Sequence, residues 1–447
     1  MVKQIAILIS NKKTSQEYSE LFPFEQLELN YDLNILTTKN NYENSNKFVI
    51  VKISSLSKRL NALIHYCQIW FRKETNLSYK LRAIGYFGSN KYKKEFSSFQ
   101  NLHKTKTNLV KKVLVLTFST SMGITSLVYL QKIFFNFDRL RNRKLKNYNL
   151  VILPYGGGID VYFDFMIWYS KRNCIVTLAI QENWDNLSSK SFLLFKPDIF
   201  LTWGRQSSSH LRTMQNFNGS IHEIGSFRLE KFYKVRRARE FSNYGAEGFS
   251  EQASYNLLRI LVIGTGDGLH DLKIIEFLKE LEMKSYNLNI IYRPHPFTRI
   301  PQNSMAKIST LSNVIVSQPQ NGEKSEVRVD QILRSDFIIS LYSTVLLEAS
   351  ILNKKCIIPS FLLTNYVISG AQYIDDSPHY MGMSLLDNVI NAKTEKDFTD
   401  SLQIKFNDLA YEPNNSKILN WFCTDCSTSQ EILNFILKLP FNLQSKS

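Results

Sequence analysis

LVILPYGGGID, residues 150–160, runs apolar, stops at Pro154 and opens into Gly156, Gly157 and Gly158. A helical stretch follows, and CIVTLAI (174–180) returns to a strand-like run. After the loop QENWDNLSSK (181–190) a helix is expected, then the strand DIFLTWG (198–204), the helix HLRTMQNF (210–217) and the strand SIHEIGS (220–226). Short apolar runs alternating with helical segments argue for parallel strands joined by crossovers, not hairpins.

The same pattern extends outward. Toward the start lie QIAILIS (4–10), LNILTT (33–38) and FVIVKIS (48–54), separated by polar stretches. Residues 56–108 are basic, rich in Tyr, Phe and Lys, and read as helices with loops. LVKKVLVLTFS (109–119) suits strand or helix, and 122–148 reads as helix, ending in the basic run Arg139–Lys146. Toward the end, 234–256 is polar and irregular and reads as a linker. Alternation then restarts with LRILVIGTGDG (258–268), LNIIYRPHP (288–296), NVIVSQP (313–319), DFIISLYST (336–344) and KCIIPSF (355–361). The expected fold is α/β: two Rossmann-like domains with a central cleft. The first would span 1–240 and the second 241–427. A last helix within 428–447, SQEILNFILKLPF, would pack back toward the first.

Composition supports a globular chain with a sizeable core: of 447 residues, 44% are apolar and 21% charged. The net charge of +16 is uneven. Residues 1–240 carry 37 Lys and Arg against 17 Asp and Glu, whereas 241–447 carry 18 against 22. A basic half suits an acidic glycan, an anionic membrane surface or nucleic acid; a solvated surface is the plainer reading. Cys67, Cys174, Cys356, Cys423 and Cys426 are odd in number and scattered, which argues against a disulfide framework and for a cytoplasmic setting. MVKQIAILIS is too short and wrongly flanked for a secretory signal. No run of about 18 uncharged apolar residues predicts a span, so any membrane association is peripheral, expected at the inner face.

Several stretches suit chemistry. In YRPHP two prolines stiffen the chain around Arg293 and His295, a planar fork and a ring N–H suited to phosphate. In SLYSTVLLEAS (340–350), Ser343 and Thr344 open a helix whose hydroxyls and N–H groups suit an anion, and Glu348 follows one turn on, where it suits ribose hydroxyls; a plain N-cap with Glu348 as a solvated or capping acid is the alternative. Gly264 and Gly266 allow close backbone approach, yet lack a dinucleotide or P-loop spacing. A plain tight turn reads equally well there. QENWDNLSSK gathers Trp184, Asn186 and Lys190 around Asp185 and Glu182; a carboxylate at a strand end suits a general base, Asp185 first and Asp160 second. An Asx-rich turn with a core Trp is the alternative. The lone CxxC at 423–426 and seven unpaired histidines supply no metal-ligand pattern, so no protein-held metal or other cofactor is expected.

YRPHP followed by SLYST and Glu348 resembles the His-Pro and Ser-Ser/Thr motifs of bacterial GT-B enzymes, among them sialyltransferases, polysialyltransferases and CDP-glycerol glycerophosphotransferases. IQENWDNLSSK, PDIFLTWG and EIGSFRLEKFY look like GT-B proteins of surface-polysaccharide biosynthesis. The resemblance covers roughly residues 150–360. It implies a nucleotide-sugar donor held in the second domain, with His295, Ser343 and Thr344 at its phosphate and Glu348 near the ribose, and a glycan or lipid-linked acceptor in the first. The acidic pair followed by Gly that carries the sialyltransferase catalytic acid has no counterpart in the first half, where Asp185 or Asp160 would stand in. Two other readings compete: a non-hydrolysing nucleotide-sugar epimerase, and a basic nucleic-acid-binding or assembly protein. The latter lacks any recognition helix, zinc or single-strand motif, so nucleic acid is not the expected partner.

Overall fold

The structure, a computed structural model, describes residues 3–439 other than 11, 39–46, 76, 88–108, 191, 242–256, 265–267, 285, 296–301, 318–324, 342, 363–369, 404–412 and 426–427. The chain forms two compact units. The first comprises 1–83, 106–230 and 420–447, the second 84–105 and 231–419.

The first unit is built on seven parallel strands: β1 (Gln4–Ile9), β2 (Asp32–Thr37), β3 (Phe48–Ile50), β4 (Leu150–Tyr155), β5 (Val176–Gln181), β6 (Ile199–Thr202) and β7 (Ser220–Glu223). Their order across the sheet is β3-β2-β1-β4-β5-β6-β7. β1 pairs with β4 through Ile5 opposite Leu150. Both faces are covered, which is why these strands read as continuous apolar runs. Ala6, Leu8, Val151 and Leu153 fill a core on one face, and Ile5, Ile7, Leu150 and Ile152 a core on the other. The helix Thr428–Lys438 closes the second face with Ile432, Leu433 and Ile436.

The second unit repeats the plan with β8 (Leu257–Ile263), β9 (Asn287–Arg293), β10 (Val314–Val316), β11 (Phe337–Ile339), β12 (Lys355–Pro359) and β13 (Val389–Ala392). Its order is β10-β9-β8-β11-β12-β13, again all parallel. Both sheets therefore carry the Rossmann order, in which the third, second and first strands precede the fourth, fifth and sixth. Two Rossmann-like domains follow from topology alone. In each, the winding reverses between strands one and four, and there the crevice beyond the carboxyl ends binds ligands.

Two expectations need correcting, and one left open is resolved. Residues 234–241 are not linker but the end of the helix Glu230–Phe241, whose Lys, Arg and Glu are good helix formers; the rest of the expected linker, 242–256, lies outside the described residues. No helix forms between Lys190 and Asp198: Asn186–Lys190 makes one π-turn, and the described residues that follow are irregular. LVKKVLVLTFS resolves as the helix Leu109–Phe118.

Candidate functional site

At the switch point of the first sheet, Ser10 follows the end of β1 and the three glycines follow the end of β4. A cavity of about 390 Å³ opens there, lined by Ser10, His65, Gly156–Gly158, Asp160, Asp164, Glu182 and Asn183, among others. The sequence placed four of these residues together: Gly156, Gly157, Gly158 and Asp160. Gly157 has φ +68°, and a Cβ on it would lie 2.7 Å from the Asn186 Cβ. A Cβ on Gly156 would lie 2.8 Å from Glu182 Oε2. These glycines let the chain turn closely over two buried side chains.

Asp160 is the N-cap of the helix Val161–Arg172. One carboxylate oxygen accepts from the Tyr162 and Phe163 N–H groups at 2.9 and 3.2 Å, and the other from the Ser10 hydroxyl at 2.7 Å. Protein surrounds it, and the surface it keeps borders the cavity. Burial pushes its carboxyl above the usual range and the nearby Asp164 adds to this, while the three donors oppose it. Glu182 accepts from Thr14 at 2.8 Å. Asp164 accepts from Asn61 at 2.8 Å and from His65 Nε2 at 3.0 Å. Among the described residues the His65 Nδ1 has no hydrogen-bond partner, although the ring is buried.

His65 and Asp164 escaped the sequence reading because they lie 99 residues apart. The signal present was two polar residues on otherwise apolar helical faces. Asp185, by contrast, is not part of the cavity lining. It pairs with Lys190 at 2.8 Å and accepts from Ser189. Trp184 is buried, donates to Gln206 at 2.8 Å and meets the Phe422 ring edge-on. Asn186 donates to the Tyr155 carbonyl at 2.6 Å. These contacts tie the loop to the β4 and β5 ends.

At the switch point of the second sheet, β8 ends at Gly264, which donates its N–H to the Arg293 carbonyl at 2.8 Å. A Cβ there would lie 3.1 Å from the Pro294 Cα and 2.8 Å from Asp271 Oδ2. Asp271 accepts from Tyr292 at 2.8 Å, which with burial raises the phenol far above its ordinary range. Arg293 donates to Gln331 at 2.8 Å, and Gln331 donates to Ser317 at 2.7 Å, so the fork is aimed from a braced position beyond β9 and β10. His295 follows, half-buried.

Beyond β11, the Ser343 hydroxyl accepts the Val345 N–H at 3.2 Å, and the Leu346, Leu347 and Glu348 N–H groups go to the Ser343 and Thr344 carbonyls. The first-turn N–H groups of the helix Val345–Ile351 are thus consumed locally, leaving hydroxyls rather than helix N–H groups to offer an anion. Glu348 is buried and lies 2.9 Å from Arg328 Nε, an ion pair not aligned as a hydrogen bond. Arg328 also lies over the Phe232 ring. Gly266, Pro296 and Cys426 fall outside the described residues. Among the described residues no group of three His, Cys, Asp or Glu side chains is set to hold a metal ion.

No protein-family profile and no curated protein matches the chain. Solved structures do resemble it along its whole length. The UDP-GlcNAc 2-epimerase from Methanocaldococcus jannaschii is 12% identical, with 97% of this chain and 99% of that one covered and a TM-score of 0.47. A putative UDP-N-acetylglucosamine 2-epimerase from Listeria monocytogenes is 10% identical, covering 100% and 98%, with a TM-score of 0.48. MurG from Acinetobacter baumannii is 12% identical, covering 98% and 100%, with a TM-score of 0.46. Likeness at this level assigns no residue a role. The architecture rests on the strand orders above.

Proposed function

We propose that the chain is a nucleotide-sugar-processing enzyme of GT-B organisation. More finely, it transfers a sugar, or a similar activated group, from a nucleotide donor to a hydroxyl of a surface glycan or lipid-linked acceptor. One observation supports this reading: the segments chosen for phosphate, and Asp160 among the acid–base candidates, lie at strand carboxyl ends at or beside the switch points of two sheets with the same strand order.

In this reading the second unit binds the donor. Arg293 and His295 take the diphosphate, Ser343 and Thr344 add hydroxyls, and Gly264 lets the backbone approach. Fixed donors aimed at charge that develops on the leaving phosphate supply the main acceleration. Neutralisation comes from these side chains, so no metal or cofactor is assigned a part. Glu348 keeps Arg328 in place instead of reaching the ribose. The first unit binds the acceptor in its acidic cavity. Asp160 replaces Asp185 as the base: it borders the cavity, and its raised pKa makes it a stronger proton acceptor than an ordinary carboxylate.

The test is a thermal-shift screen against CMP, CDP, UDP, GDP and TDP sugars, since a ligand of the native state raises the melting temperature by mass action. Incubation of the stabilising donor without acceptor then separates the chemistries. Clean isomerisation of that donor would establish the epimerase and remove the transferase. No stabilisation by any nucleotide would remove both.

A further inference from the structure

Between β3 and β4 the chain makes a long excursion that includes the helices Ser55–Phe71, Leu109–Phe118 and Ser121–Arg141. The last of these is inside out. Its core-facing side is Leu127, Gln131, Phe135 and Asp138, of which Gln131 and Asp138 are fully buried polar residues. Its outward side is Met122, Tyr129, Leu130, Ile133, Phe137 and Leu140. Met122 is 80% exposed and Phe137 60%. At about 100° per residue, the buried residues span one arc and the exposed apolar ones an arc centred nearly opposite. A helix in water places its polar residues there instead.

Cations border the apolar arc. Lys132 and Arg139 lie along one edge and Arg141 along the other by the same wheel, and Arg143, Lys144 and Lys146 continue as an exposed basic turn. The preceding helix adds Val110, Val113 and Leu116, each more than half exposed. Taken together the two helices are long and apolar enough to cross a membrane, but they are bent by 111°, and no single described helix is long and apolar enough. A crossing is also incompatible with the longer helix, whose other face is committed to the protein core.

We propose that this face is a membrane-docking surface: the two helices lie in the interfacial plane of an anionic bilayer, apolar side chains among the acyl chains and the bordering Lys and Arg on lipid phosphates. A large apolar face, rimmed by cations and carrying no acid on its exposed arc, matches that occupant in both charge and polarity. The inference stands on this surface and not on the chemistry proposed for the site.

The experiment is sedimentation of the full chain with vesicles of phosphatidylcholine alone or with about one-third phosphatidylglycerol, a fraction chosen to give a strongly negative surface. Wild type should sediment with the anionic vesicles and weakly with the neutral ones. Ile133→Ser with Phe137→Ser should lower binding tenfold or more at an unchanged melting temperature. Lys132→Glu with Arg141→Glu should abolish the preference for anionic lipid. Phe137→Trp, a milder change, should show blue-shifted emission on vesicles as the ring enters lipid. Three outcomes overturn the proposal: no wild-type binding, vesicle binding unaffected by the Ser pair, or a Ser pair that dissociates a dimer while vesicle binding stays as it was. The last would give the face to a second copy of this chain. A sharp fall in melting temperature of the Ser pair, with no blue shift in Phe137→Trp, would give it to the chain's own residues and overturn the proposal as well.

Discussion

Asp160 has two roles that a pair of substitutions separates. Ala at this position removes the cap from the helix Val161–Arg172 and orphans three donors, the Tyr162 and Phe163 N–H groups and the Ser10 hydroxyl. Loss of a cap costs about 1 kcal/mol, and each buried donor left unpaired about 1–3 kcal/mol more. Partial access to the cavity lets water relieve some of this, so about 2–4 kcal/mol is expected for Asp160→Ala. At about 2–4 °C per kcal/mol for a unit of this size, the melting temperature falls by about 5–15 °C. Asn keeps one oxygen over the helix N-terminus and turns its NH₂ toward Ser10, which can accept; Asn caps as well as Asp, so the cost is at most about 1 kcal/mol. Asp160→Asn is therefore a folded protein without a base. Turnover of the identified donor with acceptor should fall by about 10²–10⁴-fold, with nucleotide binding unchanged. The pH dependence gives an independent check. A carboxyl raised by burial is more stable in the fold when protonated. Stability therefore falls as pH climbs from the ordinary carboxyl range through the raised value, while activity as a base rises over the same window. Both limbs should vanish in Asp160→Asn. Turnover of Asp160→Asn within threefold of wild type would refute the catalytic role and leave Asp160 as a cap.

Replacement of His295 by Ala should weaken nucleotide binding about tenfold, the worth of one charge-assisted contact, with little change in melting; calorimetry against the stabilising nucleotide reads this, and unchanged affinity removes His295 from the site. Gly157→Ala forces a side chain onto φ +68° and against the buried Asn186, so about 2–4 kcal/mol should be lost, measured by denaturant titration; a wild-type midpoint would mean the loop relaxes freely. Lys355 is buried, donates to the Ser401 carbonyl, and is lowered by burial to about 8. Because the folded state releases this proton first, stability should rise between pH 8 and 10, and Lys355→Met should flatten that rise in thermal melts at each pH.

How much of this was legible from residues follows from the kind of signal each part leaves. A strand covered on both faces writes a continuous apolar run, so β1, β4, β5, β8 and β9 stand out, and with them the fold class. β13 (Val389–Ala392) is four residues long with two half-buried positions and left no such mark. The strand-end motifs were visible because glycine, proline and hydroxyl residues punctuate where strands stop. What could not be read was pairing across distance. His65 meets Asp164, Glu182 meets Thr14, and Arg328 meets Glu348 only through the crossovers. Asp185 looked as good a base as Asp160 because sequence gives the residue type at a strand end and not the direction of the side chain; in the fold Asp185 pairs with Lys190, and Asp160 borders the cavity.

The charge count suits the first half to an acidic partner or to a plain solvated surface, yet the cavity of the first sheet is not basic. At the switch point of the first sheet three carboxylates, Asp160, Asp164 and Glu182, line the cavity, and no Lys or Arg does so among the described residues. A phosphate there would meet concentrated negative charge in a poorly screened pocket. At the corresponding place in the second sheet the acids are engaged, Asp271 by Tyr292 and Glu348 by Arg328, while Arg293, His295 and the Ser343 and Thr344 hydroxyls lie on the strand-end segments. Two sheets of one strand order thus differ at equivalent positions: the first lines its cavity with carboxylates and, among the described residues, no Lys or Arg, whereas the second sets Arg293 and His295 near its acids, a contrast that supports the proposed diphosphate in the second and hydroxyl in the first. The positive charge that dominates residues 1–240 has to act elsewhere. Six of its Lys and Arg, on the basic turn and flanks of the Ser121–Arg141 helix, border an apolar face that water alone does not favour.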